Sequence, residues 1–489
     1  MNRIYFDNAA TTPISDNVLK VMNEVMKNNF GNPSSTHSFG RDSKSIIELA
    51  RKNIANELKI KANEVYFTSG GTESNNMIFH SAVNFHGIER IISTKIEHKA
   101  VLKCIDTYCN NKSVDAVYLS VDGTGKPDLE ELEGYLKNDN KKTLVSLMHI
   151  NNEIGTITDL KKVGEICKKY NSLFHSDTVQ TLGHYFVDLQ KTYINYLTCS
   201  AHKFHGPKGV GFAVALNGAK LVSFIEGGEQ ERGCRAGTES VHNIAGLNQA
   251  FNDAYNNLED RIEKIKSLKN YFIESLGHKI NFKINGDLVQ SSDTILNLQL
   301  PVNIEKKSVL NFKMDIAGIA CSAGSACQSG SDKPSHVLLE ILDKNEINNI
   351  SLRFSFSHYN TTEDIDYTIG SNKVTIIGTV TYPSSGVAKT HIRWYKRDSV
   401  SFVPNSAVKL GLIKPYTPQL RSDYSEASNG TATTNVIVRH DGSIHVRNGT
   451  EIYDRSRAGY DPVDAAIFDL ECRIYNNLNA TLDNIKNIK

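Results

Sequence analysis

Short apolar runs at 144–148, 173–174, 193–198 and 210–216 alternate along the chain with stretches of helical pattern such as 42–58. Runs this short fit strands, and their alternation with helices is the pattern of a parallel sheet covered on its faces. A charged helical segment from Asn248 through Lys269 then leads toward a smaller domain. With 489 residues, 39% of them hydrophobic, the chain can bury more than one core. The expected class is α/β.

Chemistry is concentrated at the ends of the apolar runs. In Cys199-Ser-Ala-His-Lys-Phe-His-Gly-Pro-Lys-Gly-Val-Gly211, Lys203 closes one run and precedes a glycine-rich turn. A lysine held there and partly desolvated suits an imine with an aldehyde cofactor, pyridoxal phosphate (PLP) above all. In Phe67-Thr-Ser-Gly-Gly-Thr-Glu-Ser-Asn-Asn76 a short strand meets glycines and then a helix start, so amides freed by Gly70 and Gly71, with the Thr72 hydroxyl, suit a phosphate. In Leu173-Phe-His-Ser-Asp-Thr-Val-Gln180, Asp177 closes an apolar run about 25 residues before Lys203, a spacing that suits successive parallel strands. A carboxylate there keeps a pyridine nitrogen protonated; a helix N-cap is the plainer reading of the same residue. His98 in Ile96-Glu-His-Lys-Ala100 suits stacking on the ring and acid–base work. Asn151 in Met148-His-Ile-Asn-Asn-Glu-Ile-Gly155 suits a bond to the cofactor's phenolic oxygen or to a substrate carboxylate.

Together these segments resemble a group I cysteine desulfurase, a PLP-dependent family of the aspartate-aminotransferase fold type. The resemblance runs from Tyr5-Phe-Asp-Asn-Ala-Ala-Thr-Thr-Pro13 to about Ile369. It takes in Gly31-Asn-Pro-Ser-Ser-Thr-His37, Arg235-Ala-Gly-Thr238 and Arg353-Phe-Ser-Phe356. Its most specific piece is Cys321-Ser-Ala-Gly-Ser-Ala-Cys-Gln-Ser-Gly330, similar to the small-residue loop that carries the family's nucleophilic cysteine. That cysteine is Cys327 here, and Cys321 reads as a neutral thiol. A thiol between Ser, Ala and Gly has little to bury, which suits a loop that carries sulfur to an outside acceptor.

The resemblance implies a large domain with a parallel or mixed sheet at 14–255. It implies a small α+β domain from 1–13 and 256–370 that carries Cys327 and Arg353. It also implies roles: Gly71, Thr72, Ser200 and His202 on the phosphate, Gln180 on the phenolic oxygen, Asp177 on the ring nitrogen, His98 stacked on the ring and Arg353 on the substrate carboxylate. Thr238 matches a residue that reaches the phosphate of a neighbouring subunit, so a homodimer is implied. The implied reaction turns L-cysteine into L-alanine and leaves a persulfide on Cys327. A sulfur-acceptor protein takes it on for iron–sulfur cluster assembly or thiolation, with Cys327 a transient iron–sulfur ligand shared with a partner scaffold. Selenocysteine lyase chemistry would use the same residues, and an interaction protein built on an inactive desulfurase-like part is the alternative from another class.

The net charge of +1 gives no electrostatic reason to expect nucleic acid or membrane binding. No apolar stretch is long enough for a bilayer. Eight cysteines without zinc-type spacing read as reduced thiols of a cytoplasmic protein. After Gly370 the resemblance stops where the family continues its last helix. Residues 371–489 read as a separate β-rich module ending in a helix: strands at 373–382 and 391–395, a hairpin around Asp441-Gly442, and an apolar stripe from Val463 to Ile485 after Asp461-Pro462. No catalytic group is expected there.

Overall fold

The computed structural model describes residues 3–112, 114–303, 307–322, 335–347 and 349–370, and two strands at 434–438 and 444–448. The chain divides into two compact units, 1–374 and 375–489. In the first, chain order runs β1 (Ile4–Tyr5), α1 (Asp16–Asn28), α2 (Ser38–Glu57), β2 (Val65–Thr68), α3 (Gly71–Asn84), β3 (Arg90–Thr94), α4 (Lys99–Lys112), β4 (Asp115–Leu119), α5 (Leu129–Asn138), β5 (Thr143–Ser146), α6 (Leu160–Lys169), β6 (Leu173–Asp177), β7 (Tyr196–Ser200) and β8 (Gly211–Ala215). It continues with α7 (Val241–Asn256), α8 (Leu258–Gly277), β9 (Lys283–Asn285), β10 (Ile295–Asn303), α9 (Lys307–Ile316), β11 (Ile319–Ala320), α10 (His336–Ile341), β12 (Asn349–Ser355) and α11 (Thr362–Gly370).

Seven strands form one sheet in the order β2-β8-β7-β6-β5-β3-β4. The sheet is mixed: β8 runs antiparallel to both β2 and β7, while the other paired strands are parallel. The reversal is made by the glycine-rich turn after Lys203, which returns the chain directly beside β7 instead of through a crossover helix. Six strands therefore end on one edge, and the chemistry-bearing residues follow those ends, where ligands bind in open α/β sheets. Helices cover the strands because both faces are apolar: Val145, Phe174, Leu197 and Phe212 are fully buried on one, and Ile91, Leu144, Tyr196 and Ala213 on the other.

Two helix limits differ from expectation. α2 starts at Ser38 rather than Asp42, because His37 accepts the N–H of Gly40 through Nδ1 at 3.2 Å and caps the helix early. The segment expected as one helix from 248 to 269 is α7 and α8, broken at Asn257 with φ −132° and ψ 37°. Arg261 Nη1 donates to the Asp253 carbonyl at 2.9 Å, satisfying the exposed end of α7.

The smaller sheet, β12-β10-β9, is antiparallel, and β1 pairs parallel with β11. The N-terminal strand is fixed there by Phe6, whose ring centroid lies 5.9, 6.2 and 5.4 Å from those of Phe272, Phe354 and Phe356. Edge-to-face packing of this kind adds to the burial of large apolar area. Among the described residues no helix is long and apolar enough to cross a membrane.

In the second unit, β13 (Thr434–Val438) and β14 (Ile444–Asn448) pair antiparallel from Thr434↔Asn448 to Val438↔Ile444. These are the strands expected on either side of Asp441-Gly442. The turn itself, the strands expected at 373–382 and 391–395 and the terminal helix lie outside the described residues.

Candidate active site

The turn between β2 and α3 is shaped by what it must approach. A Cβ on Gly71 would lie 2.7 Å from Val179 Cγ2, and one on Gly211 would lie 2.8 Å from Gly70 Cα. Gly70 itself has φ +149°, where other residues are strained. The turn thus sits close against β6 and β8. Thr68 Oγ1 meets Ser74 Oγ at 2.7 Å, and the first helical bond runs from Ser74 N–H to the Gly70 carbonyl. The amides of Gly71, Thr72 and Glu73 have no acceptor among the described residues, which leaves an anion cradle at the start of α3.

Asp177 ends β6 and is 6% exposed. Its Oδ2 accepts from Asn75 Nδ2 at 2.8 Å and its Oδ1 from Val179 N–H at 3.0 Å. Asn75 in turn accepts from Thr198 Oγ1, which also meets His175 Nε2, and His175 Nδ1 meets Ser146 Oγ. This buried chain crosses β7, β6 and β5 and fixes the Asp177 carboxylate through Asn75.

His98 begins α4. Its Nδ1 accepts the Ala100 N–H at 3.1 Å, so the proton of the neutral ring lies on Nε2. Burial holds this imidazole below its ordinary pKa, helped by Lys203 and His336 and opposed by Asp177 and Glu153. At neutral pH the His98 ring is uncharged.

Lys203 follows β7 in a single 3-10 turn. Its Nζ donates to the carbonyls of Ala9 and Ala10 at 2.6 and 2.9 Å, and its own carbonyl accepts from His184 Nε2 at 2.9 Å. Gln180 Nε2 also donates to the Ala9 carbonyl, at 3.0 Å, and His202 Nδ1 meets Thr11 Oγ1 at 3.1 Å. Ser200 is buried at the end of β7, whereas Thr238 is exposed. The N-terminal segment after β1 thus lies across the strand ends and closes one side of the site.

Arg353 on β12 is 2% exposed. Its Nη1 donates to the Asn152 carbonyl at 2.7 Å, and its Nη2 to Asp7 Oδ1 at 2.9 Å and Ser322 Oγ at 3.2 Å. Its Nε has no partner among the described residues. Asn151 is engaged in its own turn: Nδ2 donates to the Ile96 carbonyl and Met148 Sδ, and Oδ1 accepts from the amides of Glu153 and Ile154. Cys327 lies outside the described residues, but the described residues on either side of 323–334 are fixed. Ser322 exchanges backbone hydrogen bonds with Arg353, Ser335 Oγ donates to Glu153 Oε2, and His336 Nε2 donates to the Glu97 carbonyl at 2.9 Å. Cys321 is pushed up to about 12 by burial and by Asp7, with Arg353 opposing, so its thiol stays protonated.

Sequence reasoning missed Asp7, Asn75, Glu153 and the carbonyls of Ala9 and Ala10. Asp7 and the alanines stand in the segment that carried the resemblance, and Asn75 stands four residues after Gly71; their roles appear only once the chain is folded.

Residues 4–368 match the family described as aminotransferase class-V. The chain belongs to it. Within that family it stands with the cysteine desulfurases. The cysteine desulfurase IscS of Dictyoglomus turgidum is 40% identical over 370 residues, 75% of this chain and 92% of that protein. The IscS of Methanosarcina thermophila is 40% identical over 365 residues, 74% and 89% of the two chains. Among solved structures, a NifS-like protein aligns with a TM-score of 0.69 at 36% identity, over 76% of this chain and 98% of its own. A structure described as SspA in complex with cysteine aligns at 0.63 and 28% identity, over 74% and 100%. Members of this branch use PLP, and the residues above fit it: an unclaimed amide cradle, a buried carboxylate fixed by neutral donors, and a lysine held at the strand ends.

The number of buried imidazoles gives the fold a pH limit. Burial pushes His149, His175, His184 and His202 down to about 4, and His205 and His358 down to about 3. Each folded value lies below the unfolded value of about 6.5, so the unfolded chain binds more protons as pH falls. The stability is whole above about 6.5 and is lost as the pH falls from there through about 4, and through about 3 for His205 and His358. His175 and His205, 0% and 4% exposed, together cost roughly 3–4 kcal/mol between pH 7 and pH 5. Glu97, raised by burial and by Asp177, and Glu239, raised by burial and by Glu231, work against them. Urea midpoints are expected to fall steadily from pH 7 to pH 5; a flat profile would show that these rings are not buried neutral.

Proposed function

We propose that the protein converts L-cysteine to L-alanine and passes the sulfur, as a persulfide on Cys327, to an acceptor for iron–sulfur cluster assembly or thiolation. The observation that carries this reading is the convergence of Lys203, Asp177, His98 and the amide cradle on one sheet edge, with Arg353 beside the anchored start of the loop that holds Cys327.

When bound, PLP supplies an electron sink for the pair left on the substrate's α carbon as its proton departs. The chain does the rest. Lys203 would hold the cofactor through its Nζ, which the carbonyls of Ala9 and Ala10 keep at the strand ends. Asp177 would pair with the ring nitrogen and favour its protonated form, and Gln180 would pair with the phenolic oxygen. The amides of Gly71 and Thr72, with Ser200 and His202, hold the phosphate, and Thr238 of a second copy completes that shell in a homodimer. His98 would stack on the ring, and with its Nδ1 taken by the Ala100 amide its neutral imidazole offers the Nε2 proton as a donor. Arg353, whose Nε lacks a protein partner among the described residues, holds the substrate carboxylate, and Asn151 shapes the turn that presents the Asn152 carbonyl to it. The Cys327 thiolate attacks the substrate sulfur, the carbon–sulfur bond breaks, and a sulfur–sulfur bond forms on the enzyme. The cofactor-binding part is read as 14–255 and the part bearing Arg353 as 1–13 with 256–370. Residues 371–489 are a binding or assembly module, and the cytoplasm is the natural compartment for the whole.

With L-cysteine and a thiol reductant, the full chain is expected to release alanine and sulfide in equal amounts, and a chain ended at Ile369 to do the same. Alanine without sulfide, or neither product from PLP-loaded protein, would overturn the reading.

A further inference from the structure

Glu73 puts a carboxylate into the first turn of α3, next to Thr72 and inside the turn that forms the anion cradle. Its Oε2 accepts the Ser69 N–H at 2.9 Å, so the acid already occupies one amide of that turn. Its side chain is 10% exposed. Burial would raise its pKa, but hydrogen bonds from Arg235 and Ser69 hold it below the usual range, so it is ionised. A fixed negative charge here opposes a phosphate group bound at the cradle, because like charges in a partly dry site repel strongly. Left alone, Glu73 would work against the helix N-terminus that attracts the phosphate.

Arg235 answers it. Nε donates to Oε1 at 2.8 Å and Nη2 to Oε2 at 3.3 Å, a two-point pairing that matches the planar fork of a guanidinium to a carboxylate. We propose that Arg235 is a positioning residue for the cofactor's phosphate, cancelling the charge of Glu73 so that the amides of Gly71, Thr72 and Glu73 face the phosphate with a net positive field. The proposal rests on the PLP reading above. It differs from a bracing role, in which Arg235 merely fixes residues 235–238, because the two roles predict opposite effects when Glu73 is also neutralised.

The test titrates cofactor-free protein with PLP and, separately, with pyridoxal, the same aldehyde without the phosphate, and reads the dissociation constants from absorbance. Arg235→Gln leaves Glu73 charged beside the phosphate and is expected to weaken PLP about tenfold, more at low salt, with pyridoxal unchanged. Glu73→Gln is expected to tighten PLP by about two- to fivefold, since Arg235 then faces the cradle uncompensated. The double variant Glu73→Gln/Arg235→Gln is expected to return to within about threefold of the starting protein. A double variant as weak as Arg235→Gln, an unchanged constant for Arg235→Gln, or equal weakening of PLP and pyridoxal would overturn the proposal. If Arg235→Gln fails to fold, Glu73→Gln decides alone: weaker PLP binding would overturn the charge argument. Failure of the PLP reading looks different, because then the unsubstituted protein would bind PLP no better than pyridoxal.

Discussion

Lys203→Ala is expected to lose all covalent attachment of PLP while still binding it reversibly. The attachment needs one amine at the strand ends, and Lys203 Nζ is held there by the carbonyls of Ala9 and Ala10. The cradle at Gly71 and the carboxylate of Asp177 do not depend on that amine. Borohydride reduction of the unsubstituted protein followed by peptide mapping should therefore place the label on the peptide that contains Lys203, and the variant should carry none. Turnover should fall by about 10²–10⁴-fold or more, since both the attachment and a proton-carrying group are gone. A label on Lys208, five residues on and exposed in the following turn, would overturn the assignment.

What could be read in the sequence was what side-chain type and periodicity encode. A strand running into two glycines announced the turn at Gly70 and Gly71. An aspartate and a lysine closing apolar runs foretold a parallel pair, and Asp177↔Thr198 sits in that pair two residues before Ser200. The reversal of β8 was not legible, because a short apolar run reads the same in either direction and only the tightness of the preceding turn decides. Nor was the closure of the site by the N-terminal segment. Two partners of Lys203 are backbone carbonyls 194 and 193 residues away, and the acidic partner of Arg353 is Asp7, 346 residues away. A carbonyl carries no residue signature, and an aspartate near a chain start looks like any solvated acid until the rings of Phe6, Phe272, Phe354 and Phe356 pull that strand onto the smaller sheet. The neutral state of the histidines belongs to the same class of property: it is set by what surrounds each ring, which composition does not contain.

The choice between the two cysteines of the small-residue loop is where burial decides the chemistry. Cys321 lies beside Asp7 and Arg353, and burial with the aspartate's charge pushes it up to about 12. At pH 8 almost none of it is thiolate, and the thiolate is the nucleophile. Cys321→Ser should therefore keep most of its turnover, with the loss confined to the fit of one buried atom. Cys327→Ser should remove sulfide release almost completely, because the sulfur has no thiolate to move to, while PLP attachment at Lys203 and binding of L-cysteine persist. Three measurements on each variant separate the steps: borohydride labelling for attachment, the absorbance change on adding L-cysteine for substrate binding, and sulfide with alanine for turnover. The reverse pattern, with Cys321→Ser inactive and Cys327→Ser active, would move the nucleophile to Cys321 and require Arg353 to outweigh Asp7 and burial in the assembled site.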